Sequence, residues 1–296
     1  GDSMRIVFIG AVQFSEKVLS KLIEIKAEVV GVCTLKSLSF NSDHSDLTPL
    51  CLENDIPVKY TDDINLSENI AWIKRYSPDI IFCFGWSRLL KTDLLKLAPL
   101  GVLGYHPAAL PANRGRHPLI WALVLGLKET ASTFFFMDDG ADSGDIISQH
   151  PINISENDTA GTLYEQIIEV ALKQVDEFIP ALVSGDYKRV KQDHSISNTW
   201  RKRGKDDGKI DWRMSATSIH NLVRGLTKPY VGAHFNLQDK ATKVWETELV
   251  INCEKNVEPG KVILVDEKGV VVKAGENAIR LIKTEPVLDI RQGSYL

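Results

Sequence analysis

Short apolar runs and amphipathic stretches alternate from the start of the chain. Arg5-Ile-Val-Phe-Ile-Gly is followed by a helical pattern over Ser15 to Ile25 and by an apolar run after Glu28, the β-α-β opening of a parallel sheet. The same alternation predicts strands at Ile56 to Tyr60, Asp79 to Phe84 and Gly101 to Tyr105, with helices over Asn69 to Tyr76 and Asp93 to Leu97 between them. A helix over Leu119 to Leu125 and strands over Thr130 to Met137 and Asp145 to His150 complete this unit. Strands that are apolar on both faces belong in a sheet covered by helices on both sides. The expected fold class is α/β, with a doubly wound, Rossmann-like parallel sheet.

A long helix is predicted from about Thr159 to Leu182, with Leu163, Ile167, Val175 and Phe178 on one face. The stretch Lys188 to Gly208 is polar and charged and has the composition of a linker. Beyond it, a helix over Ser215 to Gly225 precedes five glycine-punctuated strands within 231–237, 241–251, 260–266, 269–274 and 278–283, the pattern of a smaller β-rich, OB-like domain. The expected boundaries are 4–190 for the first domain, 191–208 for the linker and 209–296 for the second.

Composition narrows this picture. At 296 residues the chain has room for two domains, and 44% hydrophobic with 25% charged residues excludes a disordered or low-complexity architecture. Cys33, Cys51, Cys83 and Cys253 show no CxxC pair and no zinc-type spacing to histidine, so neither a disulfide framework nor a structural metal is expected. No apolar run reaches membrane-span length and the chain does not open with a basic-then-apolar leader, so a cytoplasmic protein without membrane contact is expected. Charge is unevenly spread. Residues 1–199 carry 18 basic and 26 acidic groups, net −8, whereas residues 200–296 carry 17 and 13, net +4.

Three stretches could carry chemistry. The first βα turn, Gly10-Ala-Val-Gln-Phe-Ser15, has one glycine where a dinucleotide fingerprint needs three, and reads as a plain strand-to-helix turn. The stretch Gly104-Tyr-His106-Pro-Ala-Ala-Leu-Pro111-Ala-Asn113-Arg114-Gly115-Arg116-His117-Pro118 follows a central strand at its carboxyl end, where open α/β sheets hold their ligands. Its three prolines, two histidines and two arginines make a stiff, basic loop. The stretch Met137-Asp-Asp-Gly140-Ala-Asp142-Ser-Gly-Asp145 packs four acids into nine residues without the ligand set of an EF-hand. It is either a solvated turn or the source of a carboxylate that meets His106 as an acid–base pair.

Together, His106-Pro-Ala-Ala-Leu-Pro111 with Arg114-Gly115, followed by Asp142-Ser-Gly-Asp-Ile-Ile, resemble the signature of formyltetrahydrofolate-dependent formyltransferases. Ile219-His-Asn-Leu-Val-Arg-Gly-Leu-Thr-Lys-Pro-Tyr-Val-Gly-Ala resembles the accessory domain of the methionyl-tRNA and sugar members of that family. The resemblance implies His106 and Asp142 as catalytic residues and N10-formyltetrahydrofolate as formyl donor, with no metal. It also implies donor contacts from Phe84, Gly85, Trp86, Arg88, Leu89 and Leu90 and from Met137, Asp138, Gly140 and Ala141. The family pattern has an asparagine where this chain has Gly104, and Asn113 is the candidate to supply the missing amide; its alternative is an Asx turn that shapes the loop.

For the amine, the chain most resembles the sugar-nucleotide N-formyltransferases, through Arg203-Gly-Lys-Asp-Asp-Gly-Lys-Ile-Asp211-Trp212. The acceptor expected is a UDP- or dTDP-linked 4-amino sugar, of pseudaminic-acid type or related, on a route to bacterial surface glycans. Tyr105, Arg114, Gly115, Arg116, Arg201, Lys202 and Arg203 are its candidate contacts, the basic ones acting as a phosphate grip; the bland alternative for the last three is a solvated linker. Methionyl-tRNA is the rival acceptor. It is disfavoured by a net charge of −4 and by the single lysine in Leu35-Lys-Ser-Leu-Ser-Phe-Asn-Ser-Asp-His-Ser-Asp46. A catalytically idle folate- or sugar-nucleotide-binding protein also stays open, as does a homodimer.

Overall fold

The structure, a computed structural model, describes residues 3–37 and 43–296. It divides into two units: Gly1–Pro118, Thr130–Ile152 and Glu165–Trp200 form one, and Leu119–Glu129, Asn153–Tyr164 and Arg201–Leu296 the other.

In the first unit the chain runs β1 (Arg5–Ile9), α1 (Gln13–Glu24), β2 (Glu28–Thr34), α2 (Thr48–Glu53), β3 (Val58–Tyr60), α3 (Ser67–Arg75), β4 (Ile80–Cys83), α4 (Thr92–Leu95) and β5 (Val102–His106). There follow a two-residue strand β6 (Arg114–Gly115), helix α5 (Pro118–Val124), which from Leu119 belongs to the second unit, β7 (Glu129–Phe136), β8 (Ile146–Asn153), α6 (Ala160–Ser184), whose first turn to Tyr164 also belongs to the second unit, and β9 (Thr199–Trp200). The main sheet has the order β3-β2-β1-β4-β5-β7-β8. Its first five strands pair in parallel, while β7 is antiparallel to β5, with His106 opposite Thr133 and Gly104 opposite Phe135. The expected doubly wound sheet is therefore present, and its parallel run ends at β5. Helix α2 was not read from the sequence, being six residues with little amphipathic pattern.

Side-chain alternation fills both faces of this sheet. Val7, Ile9, Ile81, Cys83 and Val102 pack on one face with Leu90 and Leu94. On the other, an aromatic cluster links Phe8, Phe82, Phe84, Tyr105, Phe134 and Phe178, with the Tyr105 ring stacked on Phe14 at 4.2 Å between centroids. By the same period of two, Gly104 and His106 share the face of Val102, and Tyr105 faces the opposite way.

The second unit holds α7 (Ala216–Leu226) and a five-stranded sheet of β10 (Ala233–Leu237), β11 (Lys240–Val250), β12 (Val262–Asp266), β13 (Gly269–Lys273) and β14 (Ala278–Glu285), in the order β10-β11-β14-β13-β12. Its paired strands are antiparallel, as a β-rich accessory domain requires. Ser215 caps α7 by accepting from Ser218 N–H, and Ile219, Leu222, Val223 and Leu226 bury one face of the helix against Phe235, Val244 and Ile279. Among the described residues no helix is long and apolar enough to cross a membrane.

Candidate active site

His106 ends β5 and is only 4% exposed. The chain then turns through residues 107–117, where Asn113, Gly115 and His117 all have positive φ. Gly115, at φ 102°, is a backbone that only glycine adopts readily, and an added Cβ would collide with the Trp200 carbonyl oxygen across the β6–β9 ladder. The turn brings the Asn113 carbonyl onto His106 and aims the Gly115 N–H at the acidic loop. His106 Nε2 lies 2.6 Å from Asn113 O, and Gly115 N donates to Asp142 Oδ2 at 2.8 Å.

The acidic loop is shaped by its own bonds. Asp138 Oδ1 accepts from Gly140 N at 2.9 Å and from Ser143 Oγ at 2.7 Å, so this carboxylate closes the turn. Gly144 is required because a Cβ there would strike the Phe136 carbonyl oxygen. Asp142, at φ 56°, carries its Oδ2 to 3.6 Å from His106 Nδ1. A carbonyl oxygen can only accept, so the bond to Asn113 O keeps a proton on Nε2 and leaves Nδ1 facing the carboxylate. The two sequence-predicted catalytic residues are thus brought together, 36 positions apart in sequence, each held by backbone of the loop between them.

A stretch read in the sequence as linker contributes to this arrangement. Gln192 is buried, and its Nε2 donates to Asp142 O at 2.8 Å and Gly144 O at 2.7 Å. Arg114 is buried at 8% exposure; its NH2 donates to Gln192 Oε1 at 2.9 Å and approaches His194 Nδ1 at 2.8 Å. Asn198 clasps Asn113 from both sides: Asn113 N donates to Asn198 Oδ1, and Asn198 Nδ2 donates to Asn113 Oδ1. Sequence reasoning missed Gln192 and Asn198 because nothing in a polar stretch of that composition distinguishes a bonded amide from a solvated one.

The other candidates divide. Trp86 packs on the core face that holds Cys83, Leu90 and Met137, and its indole N–H is buried with no partner. Gly85, at φ 70°, gives its carbonyl to Ala11 N, and a Cβ there would collide with Ser15 Oγ, so the first βα turn supports this loop from beneath. Phe84 and Leu90 point into the core, Leu89 is 73% exposed, and Arg88 donates through NH1 to the Asp62 carbonyl. Gly140 and Ala141 are exposed, and Arg116 is exposed with its N–H on Trp200 O.

Tyr105 turns its side chain to the opposite face from His106, where its hydroxyl pairs with Ser132 Oγ at 2.7 Å, and burial pushes the phenol pKa well above its ordinary value. Arg114 is likewise turned inward to Gln192. Asn113 offers its backbone carbonyl to His106 and its side-chain oxygen to Asn198 Nδ2, two contacts through acceptor oxygens that shape the loop. At Gly104 itself the space is taken, with a Cβ position 2.9 Å from Met137 Cγ and 3.2 Å from Phe135 Cζ.

In the second unit the basic cluster is largely internally matched. Arg201 makes a two-pronged contact with Asp207, NH1 to Oδ2 at 2.9 Å and NH2 to Oδ1 at 2.7 Å, and this pairing holds the Asp207 carboxyl far below the usual range. Arg203 lies 4.5 Å over the Trp121 ring and donates to Asp207 O; Lys202 is exposed. Of the loop Leu35 to Asp46, residues 38–42 lie outside the described residues. Among the described residues no group of three or more His, Cys, Asp or Glu is gathered to hold a metal.

Comparison with known proteins matches residues 4–178 to the formyl transferase family and residues 202–289 to its C-terminal domain. The methionyl-tRNA formyltransferase of Clostridioides difficile is 31% identical over 280 residues, covering 93% of this chain and 90% of its own length. The bifunctional polymyxin resistance protein ArnA of Wigglesworthia glossinidia brevipalpis is 33% identical over 252 residues, 83% of this chain and 38% of that protein. In fold, the chain is similar to the N-formyltransferase from Helicobacter canadensis solved with folinic acid and dTDP-3-aminofucose, with a TM-score of 0.70 and 19% identity over 95% of this chain and 99% of that one. With both domains matched in order along the chain, the protein belongs to the formyl transferase family.

Proposed function

We propose that this protein transfers the formyl group of N10-formyltetrahydrofolate to the primary amine of an amino-sugar nucleotide. The observation that carries the chemistry is the His106–Asp142 pair, at 3.6 Å, set at the carboxyl end of β5 in a chain of this family. The amine attacks the formyl carbon, a C–N bond forms, the carbonyl oxygen becomes an oxyanion, and the C–N10 bond then breaks. The amine sheds one proton and N10 takes one up, so the products are the formamide and tetrahydrofolate.

His106 is the donor for the oxyanion: its Nε2–H, held on Asn113 O, transfers its hydrogen bond to the developing charge. Asp142 keeps Oδ2 on Gly115 N–H and beside the imidazole, leaving Oδ1 to accept the proton that the neutral amine sheds once its nitrogen has bonded to the formyl carbon, directly or through water. The donor molecule fits the loop of Trp86, whose buried, unpartnered indole N–H costs about 1–3 kcal/mol until a ligand atom accepts it.

The sugar acceptor is favoured by the lack of excess positive charge. The whole chain carries net −4, and Arg201 already has its carboxylate in Asp207, so little is left to neutralise the phosphates of an acceptor stem. The fold relative solved with dTDP-3-aminofucose supports the same reading. A methionyl-tRNA acceptor is the second reading, favoured by the relative that is 31% identical over 93% of this chain.

One panel separates them: N10-formyltetrahydrofolate with UDP- and dTDP-4-amino sugars and with methionyl-tRNA, read by tetrahydrofolate release and by the mass of one added formyl group. Formylation of a sugar nucleotide supports the first reading. Turnover only on methionyl-tRNA replaces it with the second, and folate binding with no turnover on any amine means an idle binding protein.

A further inference from the structure

Asp142 has to stand still for either of its contacts to matter, and its own loop does not hold it. The Asp138 carboxylate closes the turn at Gly140 and Ser143, leaving the backbone on either side of Asp142 to be tied from elsewhere. Asp142 also occupies a left-handed backbone at φ 56°, a region that non-glycine residues keep only where surrounding bonds enforce it. The tie comes from Gln192. One amide nitrogen uses both hydrogens on consecutive turns of that loop, on Asp142 O at 2.8 Å and Gly144 O at 2.7 Å.

The amide could be flipped, presenting its oxygen to those two carbonyls, but Arg114 excludes it. Its guanidinium Nε and NH2 reach the Gln192 oxygen at 3.3 and 2.9 Å, and a guanidinium can only donate. Arg114 in turn is fixed by β6, whose ladder with β9 runs through Arg114 N to Asn198 O at 2.9 Å. A buried chain of fixed donor direction therefore runs from Arg114 through Gln192 to the carbonyls that flank the carboxylate.

We infer that Gln192 is the positioning residue for Asp142, and that Arg114 acts on the same reaction by fixing the direction of the Gln192 amide instead of contacting the acceptor. The inference rests on Asp142 having the role given above. A misplacement of the order of 1 Å at a reacting group can cost about 10²-fold, so Gln192→Leu is expected to lower kcat roughly 10- to 100-fold while leaving KM for the formyl donor within a factor of about three. Gln192→Glu keeps the volume and the bond from Arg114 but turns acceptors toward two carbonyls, and is expected to fail as Gln192→Leu does; a side chain that merely fills space would be rescued by it.

A second readout needs no substrate. In protein labelled with 15N-histidine, the His106 ring signals, assigned by their loss in His106→Gln, are compared at one pH among wild type, Asp142→Asn, the two Gln192 variants and Ser195→Ala. Ser195 sits on the same segment and gives its N–H and its hydroxyl to Asp193 Oδ1. The expected result is that both Gln192 variants move the His106 signals in the direction of Asp142→Asn, and Ser195→Ala does not. If Asp142→Asn moves them and the Gln192 variants do not, the inference is overturned, even if an amine is found. Should the Gln192 variants unfold, Arg114→Lys, which shortens the arm that directs Gln192, takes their place in the same comparison. If instead the spectra follow expectation and no amine is formylated, the functional reading falls and the positioning stands.

Discussion

Two clusters of charged side chains stand out along this chain, one at His106 and Asp142 and one at Arg201 to Asp207, and they differ in what their hydrogen bonds leave over. At Arg201 the guanidinium and the Asp207 carboxylate satisfy each other through two parallel bonds, and Gly204 N–H takes up Oδ2 as well. The pair is on the surface, where such bridges contribute only about 0–1 kcal/mol and a carboxylate already matched repels an incoming phosphate. At His106 the facing groups are 3.6 Å apart, one carboxylate oxygen carries both the backbone bond and the imidazole, and the ring is 4% exposed. Equal-looking charge in a sequence thus splits into a clasp that closes a turn and a pair with bonding capacity to spare.

The comparison can be tested from its strongest consequence downward. Asp142→Asn is expected to lower amine formylation roughly 10²–10³-fold, the scale of losing one preorganised electrostatic group at a reacting centre, with tetrahydrofolate release as the assay and circular dichroism to verify folding. Restoring the family's asparagine by Gly104→Asn is expected to destabilise by about 1–3 kcal/mol without raising the rate, because Met137 Cγ and Sδ lie 2.9 and 3.1 Å from where its Cβ must go. Thermal unfolding reads the first half of that expectation, and kcat reads the second.

The next effect lies in the second unit. Burial holds His220 below its ordinary value, with Arg224 adding to it, and burial does the same for His234, reinforced by Lys243. Each folded value then lies under the unfolded one near 6.5, so the unfolded chain binds the proton first as pH falls. Stability is full above about pH 6.5 and declines below it, by at most about 1.4 kcal/mol per pH unit for each histidine. His220→Asn is expected to flatten that decline in a series of unfolding midpoints from about pH 7.5 to 5.5. The smallest effect is expected at Arg201→Ala, with KM for the acceptor changed by less than about threefold and stability by less than ~1 kcal/mol. A tenfold rise in KM there would return Arg201 to the phosphate grip that its sequence context implies.

Much of the scaffold was legible before any coordinates. Periodicity located β1, β4, β5 and α6 because their apolar residues repeat at spacings that hardly depend on distant contacts, and the His106 and Asp142 loops carry enough unusual residues to be recognised as a pair. Tyr105 turns away from His106 because neighbours in sequence point to opposite faces of a strand. The stretch from Lys188 to Trp200 was misjudged for another reason. Gln192 and Asn198 are ordinary polar residues until Arg114, Asn113 and Asp142 arrive beside them.

What this sequence determined by itself is the order of the elements, the strand end that carries the candidate site, and the residue types available there, since these follow from local periodicity and from motif spacing. Only the tertiary structure decided that the Asn113 carbonyl holds His106, that Met137 occupies the space at Gly104, that Arg201 is already matched by Asp207, and that Gln192 ties the Asp142 loop. Each of those is a choice of partner among many chemically equivalent groups. The choice is made by distance and direction between residues far apart in sequence, 78 positions for Arg114 and Gln192 and 85 for Asn113 and Asn198.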